Sequence, residues 1–200
     1  MGGTKDVNLA RVRALAPTHA ILNMDENTKA TAEALAAFVP NLVVTHPLAP
    51  EDNLALYRQI GSAFGKEREA GALCARFEHA LAQARKQSFP ERNVLYLIWK
   101  DPWMTVSRDT YISRTLALFG LRTVPQAADA RYPKLANLDF PEADRVLVSS
   151  EPYRFTQKHL PEIERLSGRP ARLIDGEMTS WYGPRAIAGL EYLSGFARSL

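Results

Sequence analysis

Apolar and polar positions along this chain change period from block to block. Leu9, Val12 and Leu15 recur at the spacing of one helix face, with Asp6 or Asn8 placed to cap it and Pro17 to end it. "THAILNM" at 18–24 is a short apolar run closed by polar "DENTK", which predicts a buried strand. Ala32, Leu35, Ala36 and Val39 return to helical spacing, and "NLVVTH" between Pro40 and Pro47 reads as a second strand. The order α-β-α-β favours a parallel sheet.

From Pro50 to Gln87 the pattern is almost wholly helical. Leu56, Tyr57, Ile60, Ala63 and Phe64 form one stripe, and Gly65 is a natural stop. A longer helix begins near Lys66, with Ala70, Leu73, Cys74, Phe77, Leu81 and Ala84 along one face, and ends in "KQSFPER". Its roughly 22 residues at about 1.5 Å each make a rod of roughly 33 Å, long enough to run from one lobe to another.

The second half repeats the logic. "NVLYLIW" at 93–99 is a strand, 108–119 a helix stopped by Gly120, and 122–143 a proline-punctuated stretch with room for one short strand. "DRVLVSS" is a strand, 156–166 a helix stopped by Gly168, "ARLIDG" a strand and 184–200 the terminal helix.

The unusual residues fall just after the carboxyl ends of these strands. They are Asp25-Glu26-Asn27, His46-Pro47, the run Trp99 to Trp103, Glu151 to Phe155, and the run Asp175 to Gly183. In open α/β sheets ligands bind in the crevice beyond the strand carboxyl ends, and aromatic walls with a few placed polar groups suit a small molecule. Trp103, after a proline in a polar turn, is favoured as a ligand wall, as are Trp181 and Tyr182. Trp99 could equally finish its strand and point into the core. Glu151 and Tyr153 are further candidates, with a loop brace as the alternative role. Asp25, Glu26 and Asn27 could contact ligand or cap the helix that follows them, and Asp175 could contact ligand or cap a turn.

Composition narrows the classes. Hydrophobic residues are 46% and charged residues 24% of the 200, as in an ordinary globular protein. The net charge is only +3 and the basic residues are scattered, so nothing points to nucleic acid. The longest apolar runs are far too short to span a membrane. Cys74, the single cysteine, sits at an apolar helical position and reads as a buried structural thiol. Catalytic signatures are absent: there is no G-x-S-x-G, phosphate loop or G-x-G-x-x-G. The four histidines are far apart, and a site from His46, Glu151, Asp175 and Glu177 would offer a metal only one of them. No catalytic residue and no metal ligand is assigned. "MGGTKDVNL" shows neither the basic nor the apolar region of a signal peptide.

"GGTKDVNLARVRALAPTHAILNMDENTKATAEAL" resembles the glycine-glycine, helix and strand segment of the helical-backbone substrate-binding proteins of ABC importers. The likeness continues through the linker helix and "VLYLIW" to "LIDGEMTSWYGPRAI", similar to the family's late strand, loop and helix, where a tryptophan follows the strand and a proline-arginine pair opens the helix. It covers nearly the whole chain. The resemblance implies an α/β fold of two three-layer lobes with parallel sheets, joined by a long backbone helix, with the ligand cleft between the lobes. It implies an N-terminal lobe at 1–64, a linking helix at 65–89 and a C-terminal lobe at 90–200. Trp181 matches the cleft tryptophan of the late loop, while Asp25 to Asn27 and Trp99 to Trp103 match cleft-facing loops.

Function follows from the same resemblance. The protein would be a monomeric, periplasmic, non-enzymatic binding protein with no intrinsic cofactor, delivering a metal chelate to an ABC permease and its ATPase. Cobalamin (vitamin B12) or a related corrinoid comes first, because the cleft loops offer aromatics rather than clustered arginines. An iron siderophore or haem is the alternative within the family. Family members begin with a further strand and helix, so the N-terminal lobe is expected to be incomplete. Their transporter-docking glutamates align near Lys29 and Gly183, which leaves permease docking in question. The rival reading, resting on the missing signal and docking glutamates, is a cytoplasmic α/β enzyme acting on a tetrapyrrole or another small molecule. A third is an incomplete domain that binds nothing well.

Overall fold

The structure, a computed structural model, describes residues 2–126 and 129–200; Ala127 and Ala128, in the proline-punctuated stretch, lie outside the described residues. The chain divides into two compact units. One comprises residues up to Pro47 together with Leu54–Cys74, and the other comprises Leu48–Asn53 together with Ala75–Leu200.

The first unit holds α1 (Leu9–Ala14), β1 (His19–Asn23), α2 (Lys29–Ala36), β2 (Asn41–Thr45), most of α3 (Asp52–Ala63) and the start of α4 (Glu67–Arg85). Asn8 caps α1 by accepting from the Arg11 amide. Thr28, not the Asp25–Asn27 turn, caps α2 by accepting from the Thr31 amide. β1 and β2 pair in parallel from His19↔Asn41 to Asn23↔Thr45. Val12, Leu22, Leu35 and Val39 form the core that α1 and α2 share with the strands. Along α4, Ala70, Cys74, Phe77, Leu81 and Ala84 are all buried, so the sequence stripe is the packed face.

The second unit is built on β3 (Arg92–Trp99), with β6 (Arg145–Ser149) and then β7 (Ala171–Ile174) on one side, all parallel. On the other side β5 (Leu121–Val124) pairs in parallel with the first half of β3, and β4 (Met104–Thr105) pairs antiparallel with its end. Val94 to Leu97 are wholly buried, which explains why β3 reads as a continuous apolar run: both faces of the sheet are covered. The core on one side joins Leu95, Leu97, Val124, Val146, Val148 and Ile163.

Helices α5 (Tyr111–Ala117), α6 (Leu160–Ser167), α7 (Gly176–Ser180) and α8 (Arg185–Arg198) complete this unit. The helix expected at 108–119 is shorter because Thr110 caps α5, accepting from the Ser113 amide. A 3₁₀ turn at Gln157–His159 precedes α6, so Thr156 opens the turn and not the α-helix. The short strand expected in the proline-punctuated stretch is β5. Two elements lie outside the sequence reading: the two-residue β4, and α7, a single turn of helix where only a loop was expected.

Candidate functional site

Three loops leave the carboxyl ends of β3, β6 and β7 in the second unit. The loops after β6 and β7 approach so closely that only glycine fits between them. A Cβ on Gly176 would lie 2.5 Å from Ser149 Oγ and 2.7 Å from the Glu151 nitrogen. The Gly176 amide donates to Ser150 Oγ at 2.9 Å, closing the same junction. Asp175 then starts α7. Its Oδ1 accepts from the Glu177 and Met178 amides at 3.0 and 3.3 Å, so the capping role expected for this residue is the one its carboxylate fills here.

α7 ends at Trp181, whose side chain is 47% exposed yet held from two sides. Its indole N–H donates to Glu151 Oε2 at 2.7 Å. The Arg185 guanidinium lies 5.6 Å from its ring centroid and pairs with Glu177 at 3.0 Å. An exposed aromatic ring fixed in orientation is a ready-made contact surface.

Tyr182 packs edge-on against Tyr111, with ring centroids 5.8 Å apart. Next to it Gly183, at φ +79°, donates its amide to Asn53 Oδ1 at 2.7 Å. Asn53 is fully buried, and its amide group also donates to the Tyr111 hydroxyl at 3.0 Å and to the Pro50 carbonyl at 2.8 Å. Burial pushes the Tyr111 pKa up to about 12. The loop that carries Trp181 and Tyr182 is thus anchored at its far end inside the core.

The sequence left Trp99 open between core and ligand wall and favoured Trp103 as the wall; in the structure Trp99, the last residue of β3, is the more exposed of the two. Trp99 is 39% exposed and meets the edge of Tyr153 at 5.6 Å. Trp103 is half-buried, packs against the core cluster and lies parallel to Phe155 at 6.3 Å. The reason is the reversal into β4, which carries Trp103 back over the sheet onto Phe155. Lys100 locks this turn: it ion-pairs with Glu162 and sits 5.4 Å from the Trp103 ring centroid. The hydrogen bond to Glu162 raises the Lys100 pKa, and the Lys100 ammonium correspondingly lowers that of Glu162.

Around the β6 and β7 loops lies a cavity of about 690 Å³, a volume suited to a small molecule. Glu151, Arg154, Asp175, Glu177, Met178 and Arg185 are on its wall. Of the residues singled out from sequence, Glu151 and Asp175 line it directly. Trp181 adjoins it through its bond to Glu151, and Tyr153 stands between two lining residues, Pro152 and Arg154. Trp99, Trp103 and Tyr182 are not on its wall. Arg154, Met178 and Arg185 were not named as ligand contacts, and Glu177 was weighed only as a metal donor. A signal for Arg154 was present: in "PYRF" the flanking aromatics Tyr153 and Phe155 pack inward, so the residue between them faces out.

Asp25 and Asn27 belong to the first unit and serve its β1–α2 turn. Asn27 accepts from the Asn23 amide at 3.0 Å and donates to the Thr4 carbonyl at 2.9 Å. Asp25 Oδ1 lies 3.4 Å from His46 Nε2. Among the described residues no three His, Cys, Asp or Glu side chains converge as metal donors.

No family model matches the chain, and no curated protein matches it. Solved structures do. The periplasmic vitamin B12 binding protein BtuF of Vibrio cholerae superposes with a TM-score of 0.81 over 98% of this chain and 80% of its own, at 12% identity. The chain has the fold of the periplasmic binding proteins. The periplasmic heme-binding protein RhuT of Roseiflexus sp. RS-1 matches at TM-score 0.78 and 19% identity, covering 97% of this chain and 82% of its own. The periplasmic heme-binding protein HutB of Vibrio cholerae matches at 0.75 and 17%, covering 96% and 80%. At these identities the common property is the fold, the helical-backbone α/β architecture expected from the sequence. These neighbours are named as binding proteins. Among the described residues no helix is long and apolar enough to cross a membrane.

Proposed function

We propose that this periplasmic-binding-protein fold serves capture of a metal chelate of the tetrapyrrole kind, a corrinoid or a haem, for delivery to an ABC permease and its ATPase. The observation that carries the reading is Trp181: a ring 47% exposed at the strand-end edge, yet fixed by Glu151 and Arg185 beside a cavity of about 690 Å³. A flat macrocycle packs on such a ring and removes apolar area from water at about 25 cal/mol per Å². The relatives in fold whose names state a ligand, vitamin B12 or heme, support the same class. On this reading the protein works as a monomer in the periplasm, and its ligand, not a resident cofactor, brings the metal.

The test is titration of the full chain with cyanocobalamin, haemin and a ferric siderophore, followed by calorimetry and by the absorption bands of each chelate. Saturable one-to-one binding of a tetrapyrrole supports the reading. Binding of the siderophore alone corrects the ligand class, and no heat or spectral change with any of the three overturns it.

A further inference from the structure

From Ser150 to Gln157 the loop after β6 supplies more than half of the cavity wall. Few bonds set its course. The Glu151 amide donates to Ser149 Oγ and the Tyr153 amide to the Ile98 carbonyl, each at 3.3 Å. Pro152 has no N–H to offer. The Phe155 amide donates to the Tyr153 carbonyl at 2.8 Å, inside the loop itself. The last anchor differs in kind. The Thr156 amide donates to Nδ1 of the His159 ring at 2.9 Å, in the capping box that opens the 3₁₀ turn before α6.

A capping box ordinarily places Glu or Gln three residues after the N-cap, where a side-chain oxygen takes the N-cap amide. An imidazole stands there in this protein, and imidazole is the side chain whose ordinary charge change falls between pH 5 and 8. Nδ1 accepts only in the neutral ring that carries its proton on Nε2; the protonated ring donates from both nitrogens. An Nδ1–H could turn to Thr156 Oγ1 or to the Thr156 carbonyl, each 3.2 Å away, but it would then oppose the Thr156 amide.

Packing keeps the ring in place. It is half-buried, edge-on to Tyr153 at 5.8 Å and to Phe155 at 5.4 Å, and Phe155 is itself in the core. The titratable and charged groups around it are Tyr153 on the loop, Lys158, Glu162 and Arg165 along the turn and α6, and Lys100 and Asp101 on the turn after β3. Glu162 pairs with Lys100, and among the described residues no carboxylate lies within ion-pair distance of the ring. A protonated His159 therefore gains no ion pair to offset the lost amide bond.

We propose that His159 is a positioning residue of the binding site: its neutral ring holds the loop after β6 in binding geometry and its protonated ring lets that loop go, so that ligand is held near neutral pH and released in acid. The effect reaches the exposed ring at the site through Glu151, which lies on this loop and accepts the Trp181 indole N–H. The ligand in this proposal rests on the tetrapyrrole reading above; the loop anchor does not.

The experiment titrates cyanocobalamin and haemin into the full chain, His159→Gln and His159→Leu at pH 8 and pH 5, in one detergent buffer. His159→Gln keeps an acceptor and loses the charge, whereas His159→Leu loses both. Acid weakens binding to the parent about tenfold more than to His159→Gln, as loss of one hydrogen bond predicts. The comparison with His159→Gln at each pH cancels any titration of the chelate. His159→Leu binds about tenfold more weakly than the parent already at pH 8. Without ligand, the nitrogen-15 shifts of the parent's His159 ring show the Nε2–H tautomer at pH 8, and the Thr156 amide and Trp181 indole resonances move as the ring protonates. A proton on Nδ1 at pH 8, or equal pH dependence in the parent and His159→Gln, overturns the assignment and leaves the binding reading intact. Failure of the parent to bind either chelate overturns the tetrapyrrole reading, and the ligand-free resonances then decide the anchor: a Thr156 amide that stays still as the ring protonates overturns it too.

Discussion

Trp181 donates its indole N–H to Glu151 Oε2 at 2.7 Å across 30 residues of sequence. This one bond ties the loop after β7 to the loop after β6 and holds an exposed ring at a set angle beside the cavity. Replacing Glu151 with Ala removes the acceptor, whereas Glu151→Gln keeps a carbonyl oxygen there. The indole N–H resonance of Trp181, assigned by its loss in Trp181→Phe, should shift and exchange faster with water in Glu151→Ala but little in Glu151→Gln. Chelate affinity should follow the same order, with about a tenfold loss in Glu151→Ala if ring orientation matters for binding. An unmoved resonance in Glu151→Ala would show that the bond does not hold the ring.

Asn53 makes its own case for a core-anchored loop. Truncation to Ala leaves the Gly183 amide, the Tyr111 hydroxyl and the Pro50 carbonyl to find other partners in a buried setting. The expected cost is about 2–4 kcal/mol, read as a lower urea midpoint with an unchanged slope. A loss below about 0.5 kcal/mol would place the anchor elsewhere.

Alkaline pH should find the same core. Burial pushes the pKa values of Tyr96 and Tyr111 up to about 12, from the ordinary 10.0. The Tyr96 hydroxyl lies within the sheet, bonded to Ser149 Oγ at 3.0 Å and Thr179 Oγ1 at 2.5 Å. Above pH 10 the unfolded chain releases these protons while the folded chain keeps them, so the unfolded state is favoured. Their contribution is therefore constant below about pH 10 and is lost as pH rises toward 12, by up to about 1.4 kcal/mol per pH unit for each tyrosine. Urea midpoints from pH 8 to 11.5 should fall more steeply for the parent than for the Tyr96→Phe, Tyr111→Phe double variant. Parallel curves would contradict the buried, neutral state of both rings.

Two glycines should respond to alanine with opposite signs. Gly120 closes α5 at φ +74°, and a Cβ there would meet the Pro90 carbonyl oxygen at 2.6 Å. Gly120→Ala should cost about 2–4 kcal/mol from left-handed backbone and clash together. Gly71 lies in α4 with nothing within 4 Å of a Cβ. Gly71→Ala should stabilise by about 0.5–1 kcal/mol. Thermal melts of the two variants check both signs.

Most of the scaffold was legible because it rests on local rules. The α4 stripe from Ala70 to Ala84 obeys helical period whatever surrounds it, and it is the buried face. Gly65, Gly120 and Gly168 stop helices because each takes a positive φ, a property of the residue itself. The apolar run at 93–99 reads as a strand, and the structure shows Val94 to Leu97 wholly buried. What local rules do not carry is side: whether a loop residue faces core or solvent depends on where the chain goes next. Trp103 looked more exposed than Trp99 because it follows a proline in a polar turn. The return into β4 lays it on Phe155, 52 residues further along the chain, and leaves Trp99 outside.

By itself the sequence determined the alternation of helices and strands, the long helix, and the gathering of polar and aromatic residues at strand carboxyl ends, since periodicity and turn chemistry act over a few residues. Tertiary structure decided which of those residues share a cavity. Glu151, Arg154, Asp175 and Met178 meet because β6 and β7 are parallel neighbours whose following loops close around Gly176. It also decided which charges there are already matched. Arg185 meets Glu177 at 3.0 Å because α8 packs back against α7, a contact that the local pattern of either helix does not carry.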